Sequence, residues 1–231
     1  MPRLYLDIET LPGAEGPDPN EVEPPRNYKD PDKIAAYQRE KAEEAYRAQA
    51  VDSMRGRLLC IGWAFGTEPA QAAILGSDDI ETELDLLLTF QGSLLKRHCD
   101  LGRLAWVGHN IRAFDLPWIW RKALQHRLYP LAEAIPRQRF DRRVEDTMEM
   151  WAADFRDRVS LDDIAAFLGL QGKPEGIDGS KVYDYWLEGD LESIREYCRQ
   201  DVDLVRGVHG IITGAGAPEL YKPATERMGA L

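Results

Sequence analysis

The chain has 231 residues, enough for one large domain or two small ones, and either could bury an adequate core. With 44% hydrophobic and 30% charged residues it has an ordinary globular composition, and no apolar run approaches the roughly 18 residues that a bilayer span requires. A formal net charge of −11 argues against a broad DNA-coating surface, which needs clustered Lys and Arg, yet it allows an enzyme that grips one strand end locally.

The opening Met-Pro-Arg-Leu-Tyr-Leu-Asp lacks the charged-then-apolar pattern of a signal peptide. Cys60, Cys99 and Cys198 are widely spaced and form no metal-type pair, which suits a reducing compartment. A cytoplasmic protein with no membrane partner is expected.

In chain order, residues 3–10 alternate apolar and polar side chains and read as a strand. A proline-rich irregular loop follows over 11–30. Residues 30–50, rich in Ala, Glu, Lys and Arg with Pro31 just after Asp30, predict a helix with a thin apolar stripe. It is either a solvated helix or a lid over a substrate channel. Residues 57–66 and 70–75 read as two strands joined as a hairpin across Gly66–Pro69. A helix is expected over 78–99, with Leu84, Leu87, Leu88, Leu94 and Leu95 on its apolar side.

Residues 104–107 predict a short buried strand ending at Gly108-His109-Asn110, and 113–126 a helix with Trp118, Ile119 and Leu124 inward. The segment 144–151 reads equally as a strand end or a helix start. Ser160, with Asp163 three residues on and Gly169 beyond, frames a short helix. A Gly-rich loop over 171–180, a helix near 181–187 and a last helix over 191–212 complete the pattern. Early strands and later helices imply one α/β domain over 1–212, a mixed sheet with helices on both sides and an insertion at about 11–56. A Gly-, Ala- and Pro-rich tail, 213–231, follows.

Three patterns place acids where metal chemistry needs them. In Leu4-Tyr5-Leu6-Asp7-Ile8-Glu9 the alternation puts Asp7 and Glu9 on one strand face, about 7 Å apart at Cα. Their repulsion is relieved if a cation sits between them, although a solvated edge strand would also tolerate the pair. The second pattern, Asn110-Ile-Arg-Ala-Phe114-Asp115, falls where a buried strand hands over to a helix. There Asp115 either serves the chemistry or simply favours the helix N-terminal dipole. In Tyr197-Cys-Arg-Gln-Asp201 a four-residue step sets Tyr197 and Asp201 on one helical face.

Together these motifs resemble the tyrosine branch (DEDDy) of the DnaQ-like 3′–5′ exonucleases, in the ribonuclease H-like superfamily. That family carries Asp-x-Glu, then Asn-x₂₋₃-Phe/Tyr-Asp, then Tyr-x₃-Asp, and all three occur here in that order within residues 3–206. The likeness extends to predicted exonucleases related to the proofreading domain of family B DNA polymerases. Asn27–Ile34, the run from Leu168 through Lys173 to Val182, and Tyr197–Val202 also resemble that group.

The resemblance implies a ribonuclease H-like mixed central sheet flanked by helices, with a helical insertion after the first strand. It further implies that Asp7, Glu9, Asp115 and Asp201 hold two divalent ions, Mg²⁺ or Mn²⁺, and that Tyr197 orients the attacking water. The substrate would be nucleic acid with a 3′ end, taken here as single-stranded DNA. An RNA 3′–5′ exonuclease of RNase D type and a noncatalytic nucleic-acid-binding module remain as alternatives. His109, Asn110, Phe114 and Lys173 are candidate substrate contacts, with His109 equally readable as a satisfied strand-end residue, Phe114 as core and Lys173 as solvated. Asp146 is set aside as a helix cap and Asp203 as facing away from Asp201. Between Arg112 and Arg143 eight Lys/Arg stand against three acids, either a phosphate-facing stretch or a solvated face.

Overall fold

The computed structural model describes residues 1–77, 79–97, 101–154, 157–170 and 178–215. Lys173, Cys99 and the tail from 216 onward lie outside these described residues.

Strand β1 (Arg3–Leu11) is central, in a five-stranded sheet of order β3-β2-β1-β4-β5. It pairs antiparallel with β2 (Arg57–Phe65), which pairs antiparallel with β3 (Gln71–Ile74). On its other side it pairs parallel with β4 (Ala105–Gly108), and β4 with β5 (Val144–Asp146). The solvated-edge reading of Asp7 and Glu9 therefore fails. The segment 144–151, ambiguous in sequence, is strand β5 and then helix α5 (Thr147–Trp151), capped by the Asp146 carboxylate, which accepts from Met148 N at 3.0 Å.

The insertion between β1 and β2 holds helix α1 (Pro31–Arg47), whose Asp30 side chain accepts from Asp32 N at 3.0 Å. Its C-terminal end is anchored: Tyr46 donates to Gly13 O, and Arg47 pairs with Asp184 at 2.8 Å. Helices α2 (Glu83–Arg97), α3 (Asp115–Gln125) and α4 (Tyr129–Ala134) cover one sheet face. There Leu4, Leu6 and Ile8 pack with Phe90, Trp106, Trp118 and Ile119. The apolar side of α2 differs from the expected one: Leu86, Leu87, Phe90 and Leu94 form one buried stripe at helical spacing, while Leu88 and Leu95 lie off it and are exposed. On α3, Trp118 and Ile119 face inward as expected, but Leu124 is exposed.

The other face is covered by α6 (Leu161–Phe167), α7 (Val182–Glu188) and above all α8 (Leu191–Thr213). Helix α6 has the expected cap, Ser160 Oγ accepting from Asp163 N at 3.1 Å. Helix α8 starts at Asp190, which accepts from Ser193 N, and ends at Gly214 with φ of 69°. Ile194, Cys198, Asp201, Val202, Val205 and Val208 recur at helical spacing and form its buried stripe.

One residue sets how close α8 comes. Gly62 is paired with Asp7, and a Cβ there would lie 2.8 Å from Cys198 Sγ and 3.0 Å from Cys198 O. Gly62→Ala should therefore cost about 1–3 kcal/mol, because overpacking pushes a long helix off its sheet. Urea unfolding would measure it, and unchanged stability would show that α8 retreats freely.

Candidate active site at the end of the central strand

Asp7 and Glu9 emerge from β1 on the α8 side, the face shared with Tyr5 and, on β2, with Cys60 and Ala64. Register slips just after them: Glu9 pairs with Cys60, but Thr10 pairs with Leu58, so Leu59 is an extra residue on β2. Such a bulge bends and twists the strand end. Leu59 and Cys60 both face α8 as a result, and β1 stays paired for two more residues, to Leu11, before the insertion begins.

Opposite them, α8 contributes Tyr197, Cys198 and Asp201. Cys198 directs its thiol at Asp7, 3.6 Å from Oδ2 and 3.7 Å from the main-chain oxygen. Carboxylate oxygens of Asp7 and Glu9 and the Cys198 sulfur all lie within 4.8 Å of one another. Burial, the hydrogen bond with Cys60, and the charges of Asp7 and Glu9 push the Cys198 thiol well up, so it stays protonated and donates. A neutral thiol beside two hard oxygen donors orients a carboxylate more readily than it binds a hard cation.

The Tyr197 phenol is held far above its ordinary value, first by burial and then by Asp201, Glu9 and Asp7. The four-residue step read from sequence thus sets the tyrosine among three of the acids. Being protonated, it can donate a hydrogen bond but cannot serve as a base.

Asp115 opens α3 and is buried. Burial pushes its carboxyl up to about 8, and the charges of Asp146 and Asp201 add to that, against the backbone amides of Asp115 and Ile8, which donate to it. The Ile8 contact is possible because β1 outruns β4: their pairing ends at Tyr5 and Val107, and Asp115 takes the space beyond. All four acids are therefore linked, Asp115 to Asp201 and β1, and Asp7, Glu9 and Asp201 around Tyr197.

Asp146, set aside as a cap, does more than cap. Besides Met148 N, its carboxylate accepts from Asn110 N at 2.9 Å and Arg112 N at 3.0 Å. It thereby clamps the turn in which Asn110 takes a φ of 58°, and that turn presents Asp115. Nothing local in the sequence marks this role, since the two partners are 34 and 36 residues away. His109 is engaged at both ring nitrogens, by Thr147 Oγ1 at 3.0 Å and Val159 O at 2.9 Å, so it ties α5 and the 157–160 segment to the strand end. Phe114 packs against the core beside Trp118, with ring centroids 5.9 Å apart. Asp203 pairs with Arg206, away from the cluster.

The basic stretch resolves into parts with different fates. Lys122 is buried and donates to Gly56 O, Arg112 pairs with Glu149, and Arg143 with Asp141. Arg137, Arg139 and Arg142 are exposed.

Oxygen donors from four acids, partly buried and mutually repelling, fit hard divalent cations such as Mg²⁺ or Mn²⁺. The linkage has a definite sign. A carboxyl raised from 3.8 to about 8 binds its proton more tightly in the folded protein, so its contribution to stability is full below pH 3.8 and is lost as pH rises through 8. In EDTA, Asp115→Asn should melt above the wild type at pH 8, by at least the roughly 2–4 °C that 1 kcal/mol makes in a chain of this size. The gap should close toward pH 4, and Mg²⁺ should raise the wild-type melting temperature more than the variant's. A gap independent of both pH and Mg²⁺ would sever Asp115 from the cluster.

With this geometry in place, residues 98–204 match a family model described as a predicted 3′–5′ exonuclease related to the exonuclease domain of PolB. The matched segment contains Asn110–Asp115 and Tyr197–Asp201, while Asp7 and Glu9 precede it. Among solved structures the chain is similar to the family B DNA polymerase from the hyperthermophilic archaeon Pyrobaculum calidifontis, with a TM-score of 0.53 and 18% identity. That similarity covers 92% of this chain and 24% of the polymerase chain. It concerns the fold: a mixed five-stranded sheet flanked by helices, ribonuclease H-like, with a helical insertion after the first strand. No curated protein matches the sequence. Among the described residues no helix is long and apolar enough to cross a membrane.

Proposed function

We propose that this chain, which over residues 98–204 matches the predicted PolB-related 3′–5′ exonucleases, is itself a metal-dependent 3′–5′ exonuclease acting on single-stranded DNA. The observation that carries the reading is the gathering of Asp7 and Glu9 carboxylate oxygens within 4.8 Å of each other beside α8, where Asp201 and both of these charges act on the Tyr197 phenol. We take residues 1–212 as one nuclease domain with its insertion at 11–56, and the catalytic set as Asp7, Glu9, Asp115, Asp201 and Tyr197. The similarity over 24% of a polymerase chain is what one nuclease domain of a larger enzyme would produce.

Asp7, Glu9 and Asp201 would hold one divalent ion, and Asp7 with Asp115 a second. Cations in such a site stabilise the charge that builds on a phosphoryl group during in-line displacement. The protein's own part is to hold the carboxylates in place before substrate arrives: Cys198 orients Asp7, Ile8 N–H and Asp146 fix Asp115, and α8 delivers Asp201. Tyr197, kept protonated, donates to the attacking water or to a phosphate oxygen and fixes its direction. Asn110, in the turn that leads to Asp115, is left as the candidate for the terminal nucleotide, whereas Phe114 packs beside Trp118 and His109 holds Thr147 and Val159.

Replacing Asp7 or Asp201 by Ala should lower Mg²⁺-dependent shortening of a 5′-labelled single strand by several orders of magnitude. A folded variant that retained a tenth of the wild-type rate would refute the metal assignment, and release of the labelled 5′ nucleotide first would overturn the polarity. Tyr197→Phe separates positioning from metal binding. Loss of one preorganised donor should slow turnover on the order of a hundredfold while the Mg²⁺ concentration dependence stays put. A large rightward shift of that dependence would place the tyrosine among the ligands.

A further inference from the structure

The outer side of α3 and the loop that follows α4 carry features that hydrolysis does not use. Helix α3 buries Trp118, Ile119 and Lys122 against the sheet, which leaves Arg121 exposed and Pro117 and Trp120 half-buried at the edge of the core. The loop lays Arg137 over the Trp120 ring, 4.7 Å from its centroid. Arg139 sits 5.4 Å from the ring of Phe140, and Phe140 is 84% exposed. A phenyl ring so open to water gains nothing from the core, so its placement points to a ligand with flat faces.

Charge agrees. Of the three acids that line the larger cleft, Asp141 is taken by Arg143 and Glu149 by Arg112, and the third is Asp154. Among the described residues, Arg137, Arg139 and Arg142 have no carboxylate within ion-pair distance. In a chain of net charge −11, this is a place where a polyanion is not repelled. Two clefts run here, of about 280 and 520 Å³, and both are lined by Arg112 and Arg139. The smaller also reaches Leu116 and Pro117, the residues immediately after Asp115, so the surface begins at the catalytic end and leads away from it.

Building on the exonuclease reading, we propose that this face is the track for the nucleotides upstream of the 3′ terminus, and that it selects single strands. Phe140 and the arginine-capped Trp120 stack unpaired bases, while Arg137, Arg139 and Arg142 meet the phosphates. Guanidinium planes and aromatic rings accept any base, because every base has a flat face, but only after it has left a duplex. The track therefore discriminates strandedness and not sequence.

The test needs no catalysis. Anisotropy of 5′-fluorescein oligothymidylates of about 4 and about 20 nucleotides, in EDTA at low salt, spans the site sizes typical of single-strand grooves. Arg137→Ala/Arg139→Ala/Phe140→Ala should weaken the long oligomer about tenfold or more and the short one far less. With two phosphate contacts gone, the slope of log K against log salt should flatten by roughly 1.4. Phe140→Ala alone, at a position too exposed to affect folding, should weaken the long oligomer without changing that slope. A charge-matched control, Lys96→Ala/Arg103→Ala, removes two positive charges elsewhere on the surface and should bind as wild type does. Equal affinity of the triple variant and wild type for the long oligomer, or an equal loss in the control, overturns the track. Preference of the wild type for a blunt duplex over the single strand also overturns it. Failure of the wild type to shorten the labelled strand in Mg²⁺ would instead strike the exonuclease reading, while the EDTA comparison still decides the track.

Discussion

Like charges forced into one partly dry pocket are the constraint around which this molecule is arranged. Asp115 and Asp201 are buried, Glu9 nearly as much, and their charges act on one another and on Tyr197 through a medium that screens poorly. Such a cluster opposes folding on its own. It persists because the rest of the chain holds it: a strand buried on both sides, a 23-residue helix pressed on it, and backbone amides aimed at the carboxylates. Burial first, and then the charges of Asp146 and Asp201, push the Asp115 carboxyl up, and a bound cation would offset both.

Three local devices make that arrangement possible. Gly62 removes a side chain exactly opposite Asp7, so α8 can bring Cys198 and Asp201 down to the sheet. The bulge at Leu59 turns β2 and the end of β1 just past Glu9. Asp146 closes the third side, accepting three backbone amides and so fixing the turn that carries Asn110 in the left-handed region. That turn is costly for a residue other than glycine, and the carboxylate compensates for it. Two of the devices lie on β2 and the third on β5, and each acts on the position of one acid of the cluster.

The insertion behaves as an arm rooted at the same end of the sheet. Tyr46 and Arg47 fasten its helix to Gly13 and to Asp184 of α7, and the Arg47 guanidinium also lies over the Tyr183 ring. The end of the insertion also meets α3, where Arg121 donates to Ser53 Oγ at 2.7 Å, and the arginine and aromatic surface of α3 and the following loop starts from there. Under the proposed exonuclease reading, this surface gives a chain of net charge −11 a positive approach for a strand end.

Much of this was legible in the residues themselves, for reasons of period and chemistry. Alternation over 3–10 set Asp7 and Glu9 on one face with Leu4, Leu6 and Ile8 on the other, and that follows from the two-residue repeat of any strand. The four-residue step from Tyr197 to Asp201 and the caps at Asp30 and Ser160 are equally local, and each appears as expected. What sequence left open depended on partners far along the chain. Whether β1 lay at an edge or at the centre was decided by β4 and β2 closing on either side of it. Which leucines of α2 were buried was decided by its rotation against the sheet, so Leu88 and Leu95 lost the place that Leu86 and Phe90 took. The run of eight basic residues looked uniform, yet burial took Lys122 and neighbouring acids took Arg112 and Arg143. Asp146 was readable only as a cap, because its further donors come from a turn that folding alone carries to it. Local geometry is written in neighbouring residues, whereas burial and charge pairing are properties of whatever the rest of the chain brings into contact.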